Sequence, residues 1–293
     1  MSKNQKVLVI IDPQGGFCKV VPKDQQQVIH DGELFVPGAD KDMERLAGFV
    51  DKAGHLFNSI HVTMDSHHAW HIAHPCWFVD DSGNNPEPFT IMSIKKGEIF
   101  GFNIFTNANS GPYRPKIMSQ RQWTIDYLNK LQSSQRYPHM IWPPHCQIGT
   151  PSHAIVEPLM TALMKWEKKH IRSVNFVTKG SNIRTEHFGI VQAEVPDPLD
   201  PTTLLNQEFI NLIGNPDISQ VFVAGEALSH CVANSVTDIA NTFGDDSFIK
   251  KVVLIRDCTS NVPGCEAMGD TFVTTMVARG MTTTNTVDFF RKI

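Results

Sequence analysis

Cys231 lies where a thiol could act as a nucleophile. The apolar run Val221–Val223 predicts a short buried parallel strand, which Gly225 ends. A stripe of apolar residues at helical spacing follows, at Val232, Val236, Ile239, Ala240 and Phe243. A cysteine in the turn between strand and helix faces unpaired backbone N–H groups and the positive end of the helix dipole, and both favour the thiolate. The pattern therefore predicts a reactive thiol, with a small buried cysteine as the alternative.

Asp12 and Lys179 are the residues that could assist this thiol. Asp12 follows the apolar run Lys6–Ile11, and Lys179 follows Ser173–Thr178, so that each stands at the end of a predicted strand. A thiol nucleophile needs a base that takes its proton and later protonates the leaving group, and a buried carboxylate with a raised pKa can do this. A nearby lysine would limit the repulsion between the two anions. The alternative is that Asp12 and Lys179 form a buried ion pair or cap loops.

Four further residues are of the types that commonly bind metal ions. Asp65 and His67 stand two residues apart in a loop that leaves a predicted strand, His71 follows four residues later, and His145 lies in a rigid Pro-Pro-His turn. One carboxylate with two or three imidazoles suits Zn²⁺, Fe²⁺ or Mn²⁺. We therefore expect one divalent ion, with Zn²⁺ as the first choice. The alternative is a histidine-rich surface loop, to which we assign the neighbouring His68 and His74.

The turn Ala227–His230, just before the cysteine, could stabilise a developing negative charge. Backbone N–H groups in such a turn can point at an oxyanion. The same residues are equally compatible with an ordinary turn from strand to helix, in which Ser229 caps the helix.

Strands that alternate with helices must position these side chains. Apolar runs predict six strands, at residues 6–11, 59–64, 140–142, 173–178, 221–223 and 251–255, with a possible edge strand at 284–290. Helical periodicity predicts helices at 40–57, 120–131, 152–168, 204–213, 232–243 and 266–279, where Pro158 kinks the third helix or marks a later start. The fold class is therefore α/β, an open, doubly wound, mostly parallel six-stranded sheet with helices on both faces. In such sheets the active site lies beyond the carboxyl ends of the strands, where Asp12, Asp65, Lys179 and Cys231 all stand.

Residues 75–138 form the least regular stretch of the chain. This stretch is rich in proline, glycine and asparagine, as in SGNNPEPF and NANSGPYRPK. We expect a single domain over residues 1–293, with this stretch as a long insertion that has no core of its own. The insertion connects the segments that carry Asp65 and His145, so that it serves either as a lid over the site or as a homo-oligomer contact, and of these two we favour the contact. The run Ile99–Phe105 is too apolar to lie bare on a monomer, although its packing into the core of its own chain is an equal alternative.

The composition narrows the classes of partner and compartment. The chain has 293 residues with a net charge of −4, of which 41% are apolar and 19% charged, so that no basic surface for nucleic acid or anionic membrane is indicated. The first apolar run is too short for a secretory signal, and the expected compartment is the cytoplasm. The six cysteines are scattered without a CxxC pair, which predicts free thiols in a reducing compartment.

Five segments together resemble the nicotinamidase (pyrazinamidase) branch of the isochorismatase-like cysteine hydrolases. They are VIIDPQGGFC at 9–18, MDSHHAWHI at 64–72, WPPHCQIGTP at 142–151, TKG at 178–180 and GEALSHCVANSVTDIA at 225–240. The chain departs from the family pattern at four places. Gly15-Gly16 stand where Asn-Asp is common, His230 replaces an aromatic residue, Glu226 replaces an apolar one, and the 75–138 insertion is long.

The resemblance implies a role for each candidate residue. Cys231 would be the nucleophile, Asp12 the general acid and base, and Lys179 their electrostatic partner. The metal would be held by Asp65, His67 and His145, with His71 as an extra ligand. The backbone N–H groups of Ala227 and Cys231 would form the oxyanion hole beside a cis peptide at Glu226–Ala227. Phe17 and Trp142 would flank the substrate ring.

The implied activity is the deamidation of nicotinamide, or of a close heteroaromatic amide, to the acid and ammonia through a thioester. This activity belongs to NAD metabolism, in the salvage of pyridine nucleotides. Two alternatives stay open at this point: a relative that hydrolyses a carbamoyl or ureido compound, and a non-enzymatic binding protein on the same fold. The metal set argues against the first, because those relatives generally lack it, and the intact Asp12, Lys179 and Cys231 argue against the second.

Overall fold

The computed structural model describes residues 4–20, 30–134 and 137–292. Within these residues the strands are β1 Gln5–Ile11, β2 Lys19–Val20, β3 His30–Asp31, β4 Ser59–Asp65, β5 Phe78–Asp80, β6 Thr90–Lys95, β7 Glu98–Asn103, β8 Asn109–Pro115, β9 His139–Met140, β10 Asn175–Lys179, β11 Ile218–Gly225, β12 Val252–Ile255 and β13 Thr282–Thr284. The α-helices are α1 Ala39–Ala53, α2 Arg121–Ser134, α3 Leu159–His170, α4 Gln207–Ile213, α5 Ala233–Thr242, α6 Glu266–Arg279 and α7 Thr286–Lys292.

The main sheet has six strands in the order β10-β4-β1-β11-β12-β13, and all its neighbouring strands are parallel. Strand β1 lies in the centre, between β4 and β11, because its run of apolar residues can be buried on both faces. The carboxyl ends of β1, β4, β10 and β11 therefore meet at one edge of the sheet. The predicted α/β fold with a parallel six-stranded sheet is confirmed.

Helices cover both faces of this sheet, and the side chains of β1 divide between the two layers. Leu8 and Ile10 belong to a core with α1, α3 and α7. Val7, Val9 and Ile11 belong to a second core with α4, α5 and α6. Successive side chains of a strand point to opposite faces, so one apolar run anchors both layers. This packing fixes the strand ends that carry the candidate site.

Two of the expected strands differ from the structure. The predicted strand 140–142 is replaced by β9, which pairs outside the main sheet, and the sixth strand of the main sheet is β13. The predicted edge strand 284–290 is wrong, because β13 ends at Thr284 and α7 begins at Thr286. Short apolar stretches do not distinguish a strand from a helix by periodicity alone. The third predicted helix begins at Leu159, directly after Pro158, which agrees with the later start.

The insertion forms a second sheet of five antiparallel strands, in the order β5-β8-β7-β6-β9. Strands β6 and β7 make a hairpin whose turn residues, Lys96 and Gly97, both have positive φ values, of 54° and 81°. Such tight turns match the twist of the strands. The expectation that this stretch has no core is wrong. Buried apolar side chains of this sheet and α2 cluster together, among them Trp77, Phe78, Met92, Ile99, Tyr127, Leu128 and Leu131.

Among the described residues, no helix combines the length and the apolar character that crossing a membrane requires.

Candidate active site

Lys179 stands at the centre of a buried cluster of polar side chains. Its Nζ lies 2.9 Å from Oδ2 of Asp12, 3.2 Å from Oδ1 of Asp65 and 3.7 Å from Sγ of Cys231. The ammonium also donates to the carbonyl oxygen of His187, at 3.0 Å. Burial would lower the pKa of Lys179, but the carboxylates of Asp12 and Asp65 raise it well above its ordinary value. The structure thus brings Asp12, Lys179 and Cys231 together around one permanent cation.

Asp12 is positioned by the end of β1 and by a hydroxyl of the neighbouring strand. Its backbone turns into the left-handed region, with φ of 42°, directly after the strand. The hydroxyl of Thr63 in β4 donates to Oδ1 of Asp12 and accepts from its backbone N–H at 3.0 Å. Burial raises the pKa of Asp12, and the charge of Lys179 opposes this increase. A carboxyl group in this position can exchange a proton, which a general acid and base must do.

Cys231 lies in a short π-helical turn, Leu228–Val232, that precedes α5. The expectation of a thiolate stabilised by the helix start does not describe the resting state. Burial raises the pKa of the Cys231 thiol well above its ordinary value. The positive charge of Lys179 opposes this increase, whereas the negative charges of Asp12 and Asp65 add to it. Burial therefore favours the thiol over the thiolate in the resting cysteine, and Asp12 is the carboxyl group that contacts the same ammonium. The cysteine needs this base, rather than the helix dipole alone, to become nucleophilic.

Asp65 connects the proton-transfer group to a group of imidazoles. Its Oδ1 faces Lys179, while its Oδ2 lies 2.9 Å from Nε2 of His67 and 3.4 Å from Nε2 of His145. Burial alone would raise the pKa of Asp65. The charges of His67 and Lys179, together with hydrogen bonds from both histidines, hold the pKa well below its usual range. Asp65 is consequently an ionised carboxylate.

The donor set of Asp65, His67 and His145 fits a divalent metal ion. One ligand atom from each of the three lies within 4.8 Å of the others, and all three residues are buried. Nδ1 of His67 pairs with the carbonyl oxygen of Gly180 at 3.2 Å, and Nδ1 of His145 pairs with that of Pro143 at 2.8 Å. A carbonyl oxygen can only accept, so Nδ1 carries a proton in each ring. Each Nε2 faces Oδ2 of Asp65, and a divalent ion would replace the proton that Nε2 shares with this carboxylate, which gives the usual arrangement around metal-bound histidines.

His71 lies beside His67, with the ring centroids 4.5 Å apart, but its ligand atoms do not group with those of all three residues. It belongs to a second group with His67 and Glu186. Its Nδ1 accepts the backbone N–H of Ala73 at 3.2 Å, so that the neutral ring carries its proton on Nε2. A protonated nitrogen cannot ligate a metal. The extra ligand implied by the resemblance therefore stays a prediction that this arrangement does not favour.

The peptide bond Glu226–Ala227 is cis, as the resemblance implies. Gly225, which precedes it, has φ of 114°, and a Cβ there would lie 2.0 Å from the carbonyl oxygen of Ile11. Only glycine lets the chain pass this close to β1. Ala227 lines the same pocket as Cys231, and its backbone N–H has no hydrogen-bond partner among the described residues. This N–H is available to a ligand.

Phe17 and Trp142 both line the pocket in front of Cys231. The ring of Phe17 lies edge-on to His145, with the centroids 5.4 Å apart, and that of Trp142 lies edge-on to His230 at 5.5 Å. The pocket is otherwise lined by Leu34 and by residues near the candidate metal group and the cis peptide.

Three functional neighbours were not found by sequence reasoning. Thr63 orients Asp12, and Gln14 ties the loop after β1 to the end of β4 by donating to the Asp65 carbonyl at 2.8 Å and accepting its N–H at 2.6 Å. Glu186 lines the pocket from a segment without regular structure, and burial raises its pKa. No sequence pattern identifies Thr63 or Gln14, whereas the adjacent pair Glu186-His187 was a usable signal.

The two histidines assigned to the surface have different positions. His68 is exposed, as predicted. His74 is fully buried, and its ring packs 5.2 Å from that of His71 and 5.5 Å from that of His67. The surface assignment of His74 is wrong because the insertion covers this loop.

No protein-family model matches the sequence, and no curated protein matches it either. Solved structures of other proteins, however, do match this chain. A nicotinamidase/pyrazinamidase from Acinetobacter baumanii matches with a TM-score of 0.59 at 18% identity, over 98% of each chain. The yeast nicotinamidase Pnc1p, bound to the inhibitor nicotinaldehyde, has a TM-score of 0.59 at 16% identity, over 96% of this chain and 100% of its own.

A pyrazinamidase of Pyrococcus horikoshii in complex with zinc has a TM-score of 0.53 at 16% identity, over 96% of this chain and 99% of its own. These likenesses extend over almost the whole chain. The chain therefore shares its fold with solved nicotinamidases and pyrazinamidases.

Proposed function

We propose that this protein is a metal-dependent amidohydrolase that converts nicotinamide, or a close heteroaromatic amide, to the carboxylic acid and ammonia. One observation carries the proposal. A single buried ammonium contacts an acid–base carboxyl group and a cysteine, Asp12 and Cys231, in a pocket that also holds a carboxylate with two imidazoles. This arrangement supplies a nucleophile, its base and a cation that holds the charge.

The first half of the reaction forms a thioester. Asp12 takes the proton of the Cys231 thiol, and the sulfur attacks the carboxamide carbon. The backbone N–H groups of Ala227 and Cys231 stabilise the oxyanion, and Lys179 balances the negative charge that moves between Asp12 and Cys231. Asp12 then returns the proton to the amide nitrogen as the C–N bond breaks, so that ammonia leaves.

The second half releases the acid. Asp12, again ionised, takes a proton from a water molecule that attacks the thioester carbon. The C–S bond breaks, the product leaves as the carboxylic acid, and Cys231 recovers its proton from Asp12. The same carboxyl group therefore acts alternately as base and acid, which requires the adjustable pKa that burial and Lys179 give it.

Asp65, His67 and His145 would hold the metal ion, and Zn²⁺ is the ion we expect for this oxygen and nitrogen donor set. When bound, the ion would orient the substrate through its ring nitrogen. Phe17 and Trp142 hold the ring from its sides, so that the carboxamide faces Cys231.

The solved structures support this substrate class and this metal. One of the similar proteins is bound to nicotinaldehyde, which is a nicotinamide analogue with an aldehyde in place of the amide, and another is in complex with zinc. The two alternatives differ in what they predict. A carbamoyl or ureido hydrolase would not need the imidazole group, and a binding protein would not need Asp12 and Lys179 beside the thiol.

The test is ammonia release from nicotinamide by zinc-loaded protein, compared with Cys231→Ala. We expect turnover in the natural chain and a loss of about 10³-fold or more in the variant, because the covalent route disappears. Circular dichroism should show the variant folded. Release of ammonia only from carbamoyl or ureido compounds would favour the first alternative. Substantial activity in Cys231→Ala would contradict the mechanism.

We also propose that the insertion forms a homo-oligomer contact. Of the apolar run Ile99–Phe105, Ile99 is buried in the insertion's own core, whereas Phe102 and Phe105 are 38% and 55% exposed. Packing into the core of its own chain therefore holds for Ile99, and the contact stays a proposal that rests on the exposed rings of Phe102 and Phe105. Sedimentation at micromolar concentration should show an oligomer that Phe105→Ser weakens, with Ile171→Ser, at a fully exposed site on another face, as the control. A monomer would contradict the contact.

A further inference from the structure

His230 is a polar side chain in an otherwise largely apolar part of the pocket. It directly precedes Cys231 and lines the pocket with it. Its ring lies among those of Tyr137, Trp142 and Phe188, with centroid distances of 5.4, 5.5 and 5.8 Å. The proposed reaction assigns this imidazole no role.

The hydrogen bonds around Ser229 fix which nitrogen of His230 carries the proton. The backbone N–H of Val262 donates to the hydroxyl oxygen of Ser229 at 3.1 Å, and this oxygen lies 2.9 Å from Nδ1 of His230. Ser229 is fully buried, so its hydroxyl proton needs an acceptor. Nδ1 is the acceptor within reach. The hydroxyl therefore donates to Nδ1, and Nε2 bears the ring proton.

Nε2 of His230 is left to face the pocket. Burial lowers the pKa of His230 to about 4, so the ring is neutral near pH 7 and offers one N–H donor. Among the described residues, this nitrogen has no hydrogen-bond partner. The nearby walls are the apolar side chains of Leu34, Phe188 and Val262. A ligand that fills the pocket without an acceptor would leave this donor unpaired, which is unfavourable in a site shielded from water.

We propose that His230 determines substrate specificity by donating its Nε2–H to an acceptor on the substrate ring. The preferred substrate is then a heteroaromatic amide with a hydrogen-bond acceptor in addition to the single ring nitrogen of nicotinamide, such as a second ring nitrogen or a ring hydroxyl. This inference rests on the proposed amidase function and narrows its substrate class. Sites built to hydrogen-bond a substrate group discriminate strongly against analogues that lack it.

The experiment compares kcat/KM for nicotinamide with kcat/KM for pyrazinamide, 5-hydroxynicotinamide and 6-hydroxynicotinamide, which place the extra acceptor at different ring positions. We expect the natural chain to prefer at least one of the three over nicotinamide by about 10- to 100-fold. His230→Phe should remove this preference, and His230→Gln, which keeps an N–H donor, should restore part of it. His68→Phe, at an exposed histidine, is the control and should leave the preference unchanged.

A second measurement separates this inference from the proposed function. Dissociation constants of the same four compounds are determined by calorimetry on Cys231→Ala, with and without His230→Phe. If no amide is hydrolysed but the affinity preference follows His230, the proposed function is wrong, and of the inference only the recognition of the ring acceptor by His230 stands. If amides are hydrolysed but neither kcat/KM nor affinity changes its preference in His230→Phe, the inference is wrong. Nitrogen NMR should show the Nε2–H form of His230, and the Nδ1–H form would overturn the argument.

Discussion

Two buried polar clusters lie on either side of the cis peptide Glu226–Ala227. The catalytic cluster, in front of it, consists of Asp12, Asp65, Lys179 and Cys231. The anchor cluster, behind it, consists of Asp42, Glu226 and Ser260. Each contains two carboxyl groups, and these have lost nearly all contact with water. They differ in what faces those carboxyl groups.

The anchor cluster joins three separate parts of the chain. The backbone N–H of Ser260 donates to Oε2 of Glu226 at 3.1 Å, and the Ser260 hydroxyl donates to Oδ2 of Asp42 at 2.5 Å. The backbone carbonyl of Ser260 accepts from the N–H of Leu228 at 2.7 Å. Asp42 also pairs with the half-exposed Arg45 at 2.5 Å. These bonds hold the loop that carries the Ala227 N–H in place from behind.

The difference shows that the neighbouring charges determine which buried carboxyl group stays ionised. Burial raises the pKa of a carboxyl group in either cluster. In the catalytic cluster, His67 and Lys179 more than reverse this effect at Asp65. In the anchor cluster, burial and the neighbouring Asp42 raise the pKa of Glu226 well above its ordinary value, although Arg45 and a hydrogen bond from Ser260 partly oppose this. The catalytic cluster therefore keeps Asp65 ionised, whereas the anchor cluster favours the protonated form of Glu226.

Removal of the cation should produce the largest effect. Lys179→Met leaves Asp12 and Asp65 facing each other without a positive charge between them, so we expect a loss of about 3 to 5 kcal/mol in the free energy of unfolding and no amide turnover. Lys165→Met is the matched control. Lys165 pairs with Asp51 at 2.8 Å on the surface, with 65% of its side chain exposed, and the change should stay within about 0.5 kcal/mol. Urea denaturation measures both variants, and an equal loss in the free energy of unfolding in Lys179→Met and Lys165→Met would contradict the central role of Lys179.

Metal binding should also distinguish the clusters, because the imidazoles of His67 and His145 lie against Asp65 of the catalytic cluster, whereas the anchor cluster consists of two carboxyl groups and a hydroxyl. His145→Ala should lower the zinc content from about one ion per chain to almost none, since it removes one of three ligands. His68→Ala, in the same histidine-rich part of the sequence but exposed, should keep the ion. Elemental analysis after dialysis measures the zinc content of both variants. Zinc retained in His145→Ala would exclude the proposed ligand set.

The sequence predicted the strand ends well, for a physical reason. Continuous apolar runs before Asp12, Asp65 and Cys231 indicate buried parallel strands, and parallel strands deliver their ends to one edge. The structure of the insertion was harder to predict. Its strands are short and paired within a local antiparallel sheet, and its buried face, with Trp77 and Tyr127, becomes visible only when α2 packs on it.

The charge states could not be predicted from the sequence. A cysteine before a helix predicts a thiolate, but the pKa of Cys231 depends on how completely the pocket excludes water, which is a property of the assembled fold. The partnership of Thr63 with Asp12 joins residues 51 positions apart. Likewise, nothing near Glu226 in the sequence indicates that Asp42 will face it.

The anchor cluster gives the smallest and most specific prediction. Burial and the neighbouring Asp42 raise the pKa of Glu226 well above its ordinary value in the folded chain, whereas in the unfolded chain its pKa is about 4.3. Its folded pKa is raised, so the stability that it contributes is complete below that value and is lost as the pH rises towards the folded pKa. Glu226→Gln keeps an acceptor for Ser260 and a donor for Asp42 but cannot ionise. The variant should therefore gain stability relative to the natural chain by up to about 1.4 kcal/mol per pH unit above pH 5.

Urea denaturation between pH 5 and pH 8 measures this gain, and Glu87→Gln, at an exposed glutamate, should show no such trend. A difference that stays constant with pH would mean that Glu226 is ionised in the folded chain, and the contrast between the two clusters would then fail.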